Sequence, residues 1–295
     1  MELQFLGTGA AEGVPPLFSR TEHTTRIRRE GGRDLRTRSA LRMGDEYQID
    51  FGPDAFFQSV RCDCDYYDLR HLIVTHMHHD HFQPEAVMAK DMPYDTNGEP
   101  IAIYASRPAI DWLRRVAPAL LGRSADDARP LGDADPLGDH YPLVPLDYFG
   151  EHRIGELTVH AVRGNHVAMS DDEFPVNPLV TFPNGKRLLY AVDTGYYDEE
   201  SWEFLAGHRV DRLVMEATFG GRTDRDDEPS GHLDAFSFVR AVERMASIGL
   251  VDETTPIYAT HINPKHPWDH GQLEAFFRST DFTIRVAYDC LKLSV

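Results

Sequence analysis

Cysteine is scarce in this chain, and the few that are present limit the folds and metal sites it can form. The sequence contains only Cys62, Cys64 and Cys290. So small a number argues against a disulfide framework. The spacing in Cys62-Asp63-Cys64 is also too short for an ordinary tetrahedral zinc clamp, which favours at least two intervening residues. We therefore expect Cys62 and Cys64 to be structural residues.

Long apolar runs and a secretion signal are also missing. No apolar run approaches the roughly 18 residues that cross a bilayer. The first six residues alternate polar and apolar like a half-buried strand, and they lack the basic flank and long apolar core of a signal peptide. We expect a soluble cytoplasmic protein with no membrane partner. The length of 295 residues and 41% hydrophobic content predict one globular domain over residues 1–295.

The chain has fewer basic than acidic residues. The net charge of −18 argues against long nucleic acid as a partner, because nucleic-acid binding draws on basic patches. Residues 20–42 are an exception, with eight arginines against three acidic residues, a local charge of about +5. Arg38 in this segment could cradle a phosphate or belong to a solvated hairpin arm, and the sequence leaves both readings open.

Short apolar runs separated by turn residues predict a mixed α/β protein. Loops are expected at 123–142 and 220–231, where Asp, Gly and Pro are frequent. The predicted strands are Leu3–Leu6, Tyr47–Phe51, His71–Thr75, Ile101–Tyr104, Leu157–Val162, Arg187–Val192, Arg212–Met215, Pro256–Thr260 and Thr283–Tyr288. The predicted helices are Pro108–Leu121, Asp234–Ile248 and Trp268–Phe277.

The strongest chemical signal is the run His76-Met77-His78-His79-Asp80-His81, which follows the apolar strand His71–Thr75. His76 and His78 can turn towards one point, and Asp80 and His81 towards a second point close by. Imidazole and carboxylate ligands without thiolates suit Zn²⁺, with Mn²⁺ or Fe²⁺ as alternatives. The run therefore predicts two neighbouring metal sites.

This motif resembles the H-x-H-x-D-H signature of the metallo-β-lactamase superfamily, in which further His, Asp and His residues follow at strand ends. His166, Asp193 and His261 stand in that order, each after an apolar run. The resemblance implies a four-layer αββα sandwich with mixed sheets and two divalent metal ions. By analogy, His76, His78 and His166 would bind the first ion, Asp80, His81 and His261 the second, and Asp193 would bridge them.

The resemblance extends to the phosphodiesterase branch, which includes tRNase Z and the cyclic phosphodiesterase of phosphonate breakdown. That branch has Glu-Ala-Thr-Phe at a strand end and a Gly-His that opens a helix, matched here by Glu216–Phe219 and Gly231-His232. The resemblance implies hydrolysis of a small phosphodiester, with cyclic phosphodiesters among the candidates, by a metal-activated water held near Asp80. His232 would then protonate the leaving group, with Glu216 fixing its tautomer and raising its pKa.

Two departures from the branch narrow the expected substrate. Residues 14–20, shortly after the N-terminal Gly7-Thr8-Gly9 loop, contain no cysteine, so the additional structural zinc that the resemblance to phosphonate-pathway enzymes would imply is not expected. Only 26 residues separate His166 from Asp193, and they do not form the glycine-rich arm that grips tRNA. A small-molecule phosphodiester is therefore favoured over tRNA.

Alternative functions remain open from the sequence. The chain could be a lactone or thioester hydrolase of the same superfamily, in which Tyr196 or Tyr197 would polarise a carbonyl. It could also be a non-catalytic biosynthetic accessory protein, although no expected metal ligand is missing. A homodimer is an open alternative to a monomer.

Overall fold

The computed structural model describes residues 1–92, 96–120, 137–266 and 268–295. Its strands are β1 (Glu2–Gly7), β2 (Ala40–Met43), β3 (Tyr47–Ile49), β4 (His71–Ile73), β5 (Ala102–Ser106), β6 (Leu143–Leu146), β7 (Glu151–Ile154), β8 (Leu157–Arg163), β9 (Val176–Thr181), β10 (Arg187–Ala191), β11 (Arg212–Glu216), β12 (Ile257–Thr260), β13 (Ile284–Val286) and β14 (Lys292–Ser294). Its α-helices are α1 (Glu22–Glu30), α2 (Ala55–Cys62), α3 (Pro84–Val87), α4 (Arg107–Leu120), α5 (Glu199–Leu205), α6 (Ala235–Ser247) and α7 (His270–Phe277).

The strands form two seven-stranded mixed sheets. The first has the order β14-β1-β2-β3-β4-β5-β6, and the second has the order β13-β12-β11-β10-β9-β8-β7. In the first sheet β3 to β6 run parallel, and in the second β10 to β13 do so. The remaining neighbours in both sheets are antiparallel. The two sheets therefore share one architecture.

Side chains that alternate between the two faces of the strands pack on both sides of each sheet, which gives four layers. In β10, Leu188 and Tyr190 pack between the two sheets, whereas Leu189 and Ala191 face the helices on the other side. Successive strand residues point to opposite faces, and here both faces are covered. A third cluster, which includes Leu72 and Leu113, packs α4 against the outer face of the first sheet. This arrangement confirms the expected αββα sandwich.

The structure corrects several expected boundaries. Helix α6 begins one residue after Asp234 and helix α7 one residue after Asp269, because each aspartate is an N-cap in a capping box. The predicted strand Thr283–Tyr288 shortens to Ile284–Val286. Most of the predicted loop at 123–142, and the last residue of the predicted helix Pro108–Leu121, lie outside the described residues.

The cysteines also differ from expectation. Cys62 and Cys290 form a disulfide although 228 positions separate them, and Cys64 remains a thiol. The count of three cysteines could not reveal this pair. The fold brings the end of α2 beside the segment that precedes β14, so that the two Cα atoms lie 4.9 Å apart.

Across the ranges that the structure describes, no helix has both the length and the apolar character needed to span a membrane.

Candidate metal centre

The site residues follow strands whose carboxyl ends share one edge of the sandwich. His166 follows β8, Asp193 follows β10 and His261 follows β12, three strands that run in the same direction. The His76–His81 segment follows β4 of the other sheet. The N–H of Val176 donates to the carbonyl of Thr75 at 2.8 Å and joins the two sheets at this edge.

Three histidines form a first group. The Nδ1 atom of His78 lies 2.9 Å from Nε2 of His76 and 3.3 Å from Nε2 of His166. The three ring nitrogens therefore converge on a common point. These are the residues expected to bind the first ion.

A second group consists of Asp80, His81, Asp193 and His261, all buried. The Nε2 atom of His81 lies 3.1 Å from Asp80 Oδ2 and 2.7 Å from Asp193 Oδ2. The Nε2 atom of His261 lies 3.9 Å from Asp80 Oδ2. The structure thus brings together the four residues expected around the second ion.

Asp193 lies between the two groups. Its Oδ2 atom is 3.5 Å from Nε2 of His76 in the first group and 2.7 Å from Nε2 of His81 in the second. Its Oδ1 atom faces His232 and His261 at 3.0 and 3.4 Å. One carboxylate oxygen is therefore in the position that a bridging ligand needs.

The electrostatics of the first group suit metal binding. Burial lowers the pKa of His76 well below its ordinary value, and burial with the neighbouring His166 lowers that of His78 to about 4. Burial also lowers the pKa of His166. These imidazoles are neutral at pH 7, so each ring nitrogen that faces the centre can offer a lone pair to a cation.

The carboxylates in and beside the second group favour the binding of a positive charge there. Burial opposes protonation of His81, but Asp80, Asp50 and Asp193 outweigh it and raise the His81 pKa well above its ordinary value. Among the described residues, the buried atoms His81 Nε2, His261 Nε2 and Asp193 Oδ1 have no hydrogen-bond partner. The contact between His81 Nε2 and Asp193 is short, but its geometry is not that of a hydrogen bond. Buried polar atoms are rarely left unpaired, so this donor set fits a divalent cation.

Residues behind the cluster fix the orientation of its histidines. The Nδ1 atom of His81 donates to Oδ2 of the buried Asp50 at 2.7 Å. The hydroxyl of Thr75 donates to the same carboxylate and lies 3.1 Å from Nδ1 of His76. With Nδ1 occupied, Nε2 of each ring faces the centre. These roles are not evident from the sequence, because Asp50 lies inside the predicted strand Tyr47–Phe51, whereas in the structure it follows the end of β3.

Glu173 is a second residue that sequence analysis missed. It is fully buried, and its carboxylate accepts the N–H of Met77 at 2.7 Å and that of Met169 at 3.2 Å. Met77 stands between His76 and His78, and Met169 lies three residues after His166. Glu173 therefore ties together the two segments that supply the first group.

Glu216 and His232 form the expected pair beside the cluster. The Nδ1 atom of His232 lies 3.0 Å from Glu216 Oε2, and Glu216 also accepts the N–H of Gly195 and the hydroxyl of Thr218. Burial alone would lower the pKa of His232, but Glu216 and Asp193 outweigh it and raise this pKa to about 10. One expectation is wrong in detail: His232 does not open a helix but lies in the loop before α6.

A cleft of about 290 Å³ exposes this cluster. Its walls include Ala10, Glu12, Phe219, Asn263 and Lys265. The two tyrosines of the lactonase alternative are not among the described residues that line it. Tyr197 is buried and donates to Oδ1 of Asn177, and Tyr196 packs against Trp202. Neither tyrosine is placed to polarise a carbonyl in the cleft.

The arginine-rich segment 20–42 is largely occupied with structural contacts. Arg38 Nη1 contacts both carboxylate oxygens of Asp54, at 2.9 and 3.0 Å, and Arg38 Nε donates to the carbonyl of Ala11. Arg36 is buried and donates to Thr8 and to the carbonyl of Ala287. Arg38 is therefore neither a free phosphate cradle nor part of a solvated arm.

Comparison with solved structures supports the same fold. A diphosphatase from the PhnP family is 18% identical over 100% of this chain and 97% of its own, with a TM-score of 0.72. Zinc-bound PqqB from Methylobacterium extorquens is 16% identical over 100% of both chains, with a TM-score of 0.67. The short form of human tRNase Z is 17% identical over 100% of this chain and 99% of its own, with a TM-score of 0.61.

Sequence comparison gives the family. No curated protein sequence matches the chain. The family model described as the beta-lactamase superfamily domain matches residues 48–262, well over half of the chain, and this range includes every residue of the His/Asp cluster. The chain therefore belongs to the beta-lactamase superfamily and is a hydrolase of the metallo-β-lactamase fold with a candidate metal site at its strand ends.

Proposed function

We propose that the protein is a metal-dependent phosphodiesterase that hydrolyses a small phosphodiester. The observation that carries this proposal is the Glu216–His232 pair, which lies in the same cleft as both ligand groups. A diphosphatase among the solved structures of the same fold also supports phosphate chemistry.

The two ligand groups would hold two divalent ions, Zn²⁺ in the first instance, with Mn²⁺ or Fe²⁺ as alternatives. His76, His78 and His166 would hold one ion, Asp80, His81 and His261 the other, and Asp193 would contact both. Bound divalent ions lower the pKa of water and stabilise charge on phosphoryl oxygens.

His232 would act on the leaving group. Glu216 is outside the proposed ligand set, so it can still hold Nδ1 of His232 when Asp193 is bound to metal. A protonated imidazole at the wall of the cleft can then donate a proton to the departing alkoxide. Glu216 also fixes which ring nitrogen remains for the substrate. In this proposal Glu216 is a positioning residue, because it acts through His232, and His232 is a catalytic residue.

Two features favour a small substrate. The net charge of −18 opposes long nucleic acid. The cleft volume of about 290 Å³ is at the small end for ligand sites.

A substrate screen tests the proposal. We expect protein loaded with Zn²⁺ or Mn²⁺ to hydrolyse bis(p-nitrophenyl) phosphate and at least one cyclic nucleotide faster than a lactone. Chelated protein serves as the matched blank. Rapid lactone hydrolysis without phosphodiester hydrolysis would reject the phosphodiesterase in favour of the lactonase. No hydrolysis of any substrate by metal-replete protein would favour a non-catalytic accessory role.

A further inference from the structure

Lys265 is a cation in the cleft for which the reaction proposed above has no role. In the part of the chain that the structure describes, it is the one lysine or arginine that lines the cleft with the His/Asp cluster. It follows His261 by four residues, and its side chain is 60% exposed. An accessible ammonium group beside a phosphate-binding centre can recognise negative charge on a substrate.

The segment that carries Lys265 is held against the cluster by hydrogen bonds. The N–H of Lys265 donates to Oδ1 of Asn263 at 2.7 Å, and the N–H of Asn263 donates to the carbonyl of Thr218 at 2.9 Å. The hydroxyl of Thr218 lies 2.9 Å from Nδ1 of His261. The backbone of Lys265 is therefore linked through two residues to a proposed metal ligand.

Glu12 holds the lysine side chain from the N-terminal loop. Its Oε1 atom lies 2.5 Å from Nζ of Lys265, and its Oε2 atom accepts from Nδ2 of Asn263 at 2.7 Å. Both carboxylate oxygens are thus engaged with the cleft wall. The ammonium group has two further N–H groups, and no other described residue accepts them. These N–H groups remain for a ligand.

The Lys265–Glu12 pair can exchange partners easily. Partly exposed ion pairs contribute little to stability, because water screens them and two flexible side chains must be ordered. A phosphate group carries more charge than the Glu12 carboxylate and offers more acceptor oxygens. Since Lys265 and the candidate metal ligands line one small cleft, a single small molecule can contact both.

We propose that Lys265 is a specificity residue that binds a second phosphate on the substrate, so that the preferred substrates carry a second phosphate near the phosphodiester that is cleaved. This inference rests on the proposed function and refines it. Glu12 and Asn263 position the lysine. When no second phosphate is bound, the Glu12 carboxylate occupies the position beside the Lys265 ammonium group.

A matched pair of substrates tests this role. Thymidine 5′-(p-nitrophenyl phosphate) and its 3′-phosphorylated form have the same leaving group and nucleoside and differ by one phosphate. We expect wild-type protein to prefer the 3′-phosphorylated form by about tenfold in kcat/KM, a typical value for one charge-assisted hydrogen bond. The preference should appear mainly in KM, because the second phosphate is remote from the bond that breaks.

Variants identify the residue. Lys265→Met should remove most of the preference, whereas Lys265→Arg should keep it. Lys186→Met makes the same charge change in an exposed turn between β9 and β10 and should leave the preference unchanged. Glu12→Gln should keep or increase the preference, because it removes the competing carboxylate. Equal use of both esters by wild-type protein, or an equal loss on both esters in Lys265→Met, would overturn the proposal.

A binding measurement separates this proposal from the function on which it rests. If neither ester is hydrolysed by metal-loaded protein, the phosphodiesterase proposal fails, but calorimetric binding of two nucleotides still tests Lys265. Thymidine 3′,5′-bisphosphate should bind about tenfold more tightly than thymidine 5′-monophosphate, and Lys265→Met should abolish this difference. Equal affinities of wild-type protein for both nucleotides would reject the second-phosphate site.

Discussion

At the scale of single residues, Asp193 connects the greatest number of functional groups. One oxygen faces His76 and His81, and the other faces His232 and His261. Its backbone has a φ of 52°, in the left-handed region that few residues other than glycine and asparagine or aspartate enter. Aspartate is therefore suited to this position by both its short side chain and its backbone preference.

The first prediction concerns this shared carboxylate. Asp193→Ala should reduce binding at both ion positions, because each loses a ligand, whereas His78→Ala should mainly empty the first. Metal content by mass spectrometry after dialysis, with competition against a chromogenic chelator, measures both effects. Glu156→Ala, which removes an exposed carboxylate from the turn between β7 and β8, serves as the control. Asp193→Ala protein with two tightly bound ions would contradict the bridging role.

A second prediction at this scale concerns His232. His232→Ala should keep the metal content yet lose roughly 10²- to 10⁴-fold in turnover on an alkyl phosphodiester, the usual worth of general acid catalysis. The loss should shrink with p-nitrophenolate, which departs without much protonation. Glu216→Gln should show a weaker form of the same pattern. Full activity of His232→Ala on the alkyl ester, or a defect explained entirely by lost metal, would rule out the proposed role.

At the scale of elements, the contact that joins two ligand-bearing segments is the Glu173 carboxylate. Glu173→Ala should destabilise the protein by about 1–3 kcal/mol, because the buried N–H of Met77 loses its acceptor. It should also weaken binding at the first ion position by about 10- to 100-fold, as expected for residues that orient ligands. Glu173→Gln retains an acceptor oxygen and should have a smaller effect on both.

Urea denaturation and chelator competition measure these two effects of Glu173. Glu156→Ala removes an exposed glutamate from the turn between β7 and β8 and serves as the control. Unchanged metal affinity in Glu173→Ala would mean that the first group does not depend on this contact.

The elements that sequence analysis predicted are those with a clear apolar pattern. Strands β4, β10 and β12 are short apolar runs that end at polar residues, and this pattern is also what placed the candidate ligands. Helix α1 was missed because it buries only Thr24 and Ile27, too few to form an apolar stripe. Strand β9 was missed because Pro178 lies within it, and proline normally argues against a central strand.

The supporting residues of the site were less accessible to sequence analysis than the candidate ligands. The ligands stand in a family order that short motifs can match. Asp50, Glu173 and Lys265 are placed by contacts with segments that are distant in sequence. Lys265, for example, contacts Glu12 of the N-terminal loop. No local pattern marks such contacts, because they form only when segments that are distant in sequence come together in the fold.

At the scale of the whole molecule, charge bears on the choice of substrate. Lys and Arg number 30 against 48 Asp and Glu, and only 26 residues separate His166 from Asp193. We expect no site-specific cleavage of precursor tRNA under conditions in which a small phosphodiester is hydrolysed. Gel analysis of a labelled precursor, with an authentic tRNase Z as the positive control, makes the comparison. Efficient cleavage at one 3′ position would refute the small-substrate proposal.

The division of the ligands between the two sheets has a consequence for stability. In each group, ligands that follow β4 of the first sheet meet ligands that follow strands of the second. A bound ion would therefore act as a cross-link between the halves of the sandwich, and an ion present at about 1,000 times its dissociation constant adds about 4 kcal/mol to the free energy of unfolding. Chelation should lower the Tm of the wild-type protein markedly, while the Tm of Asp193→Ala should hardly respond. Calorimetry would thus report ion binding even where no substrate is known.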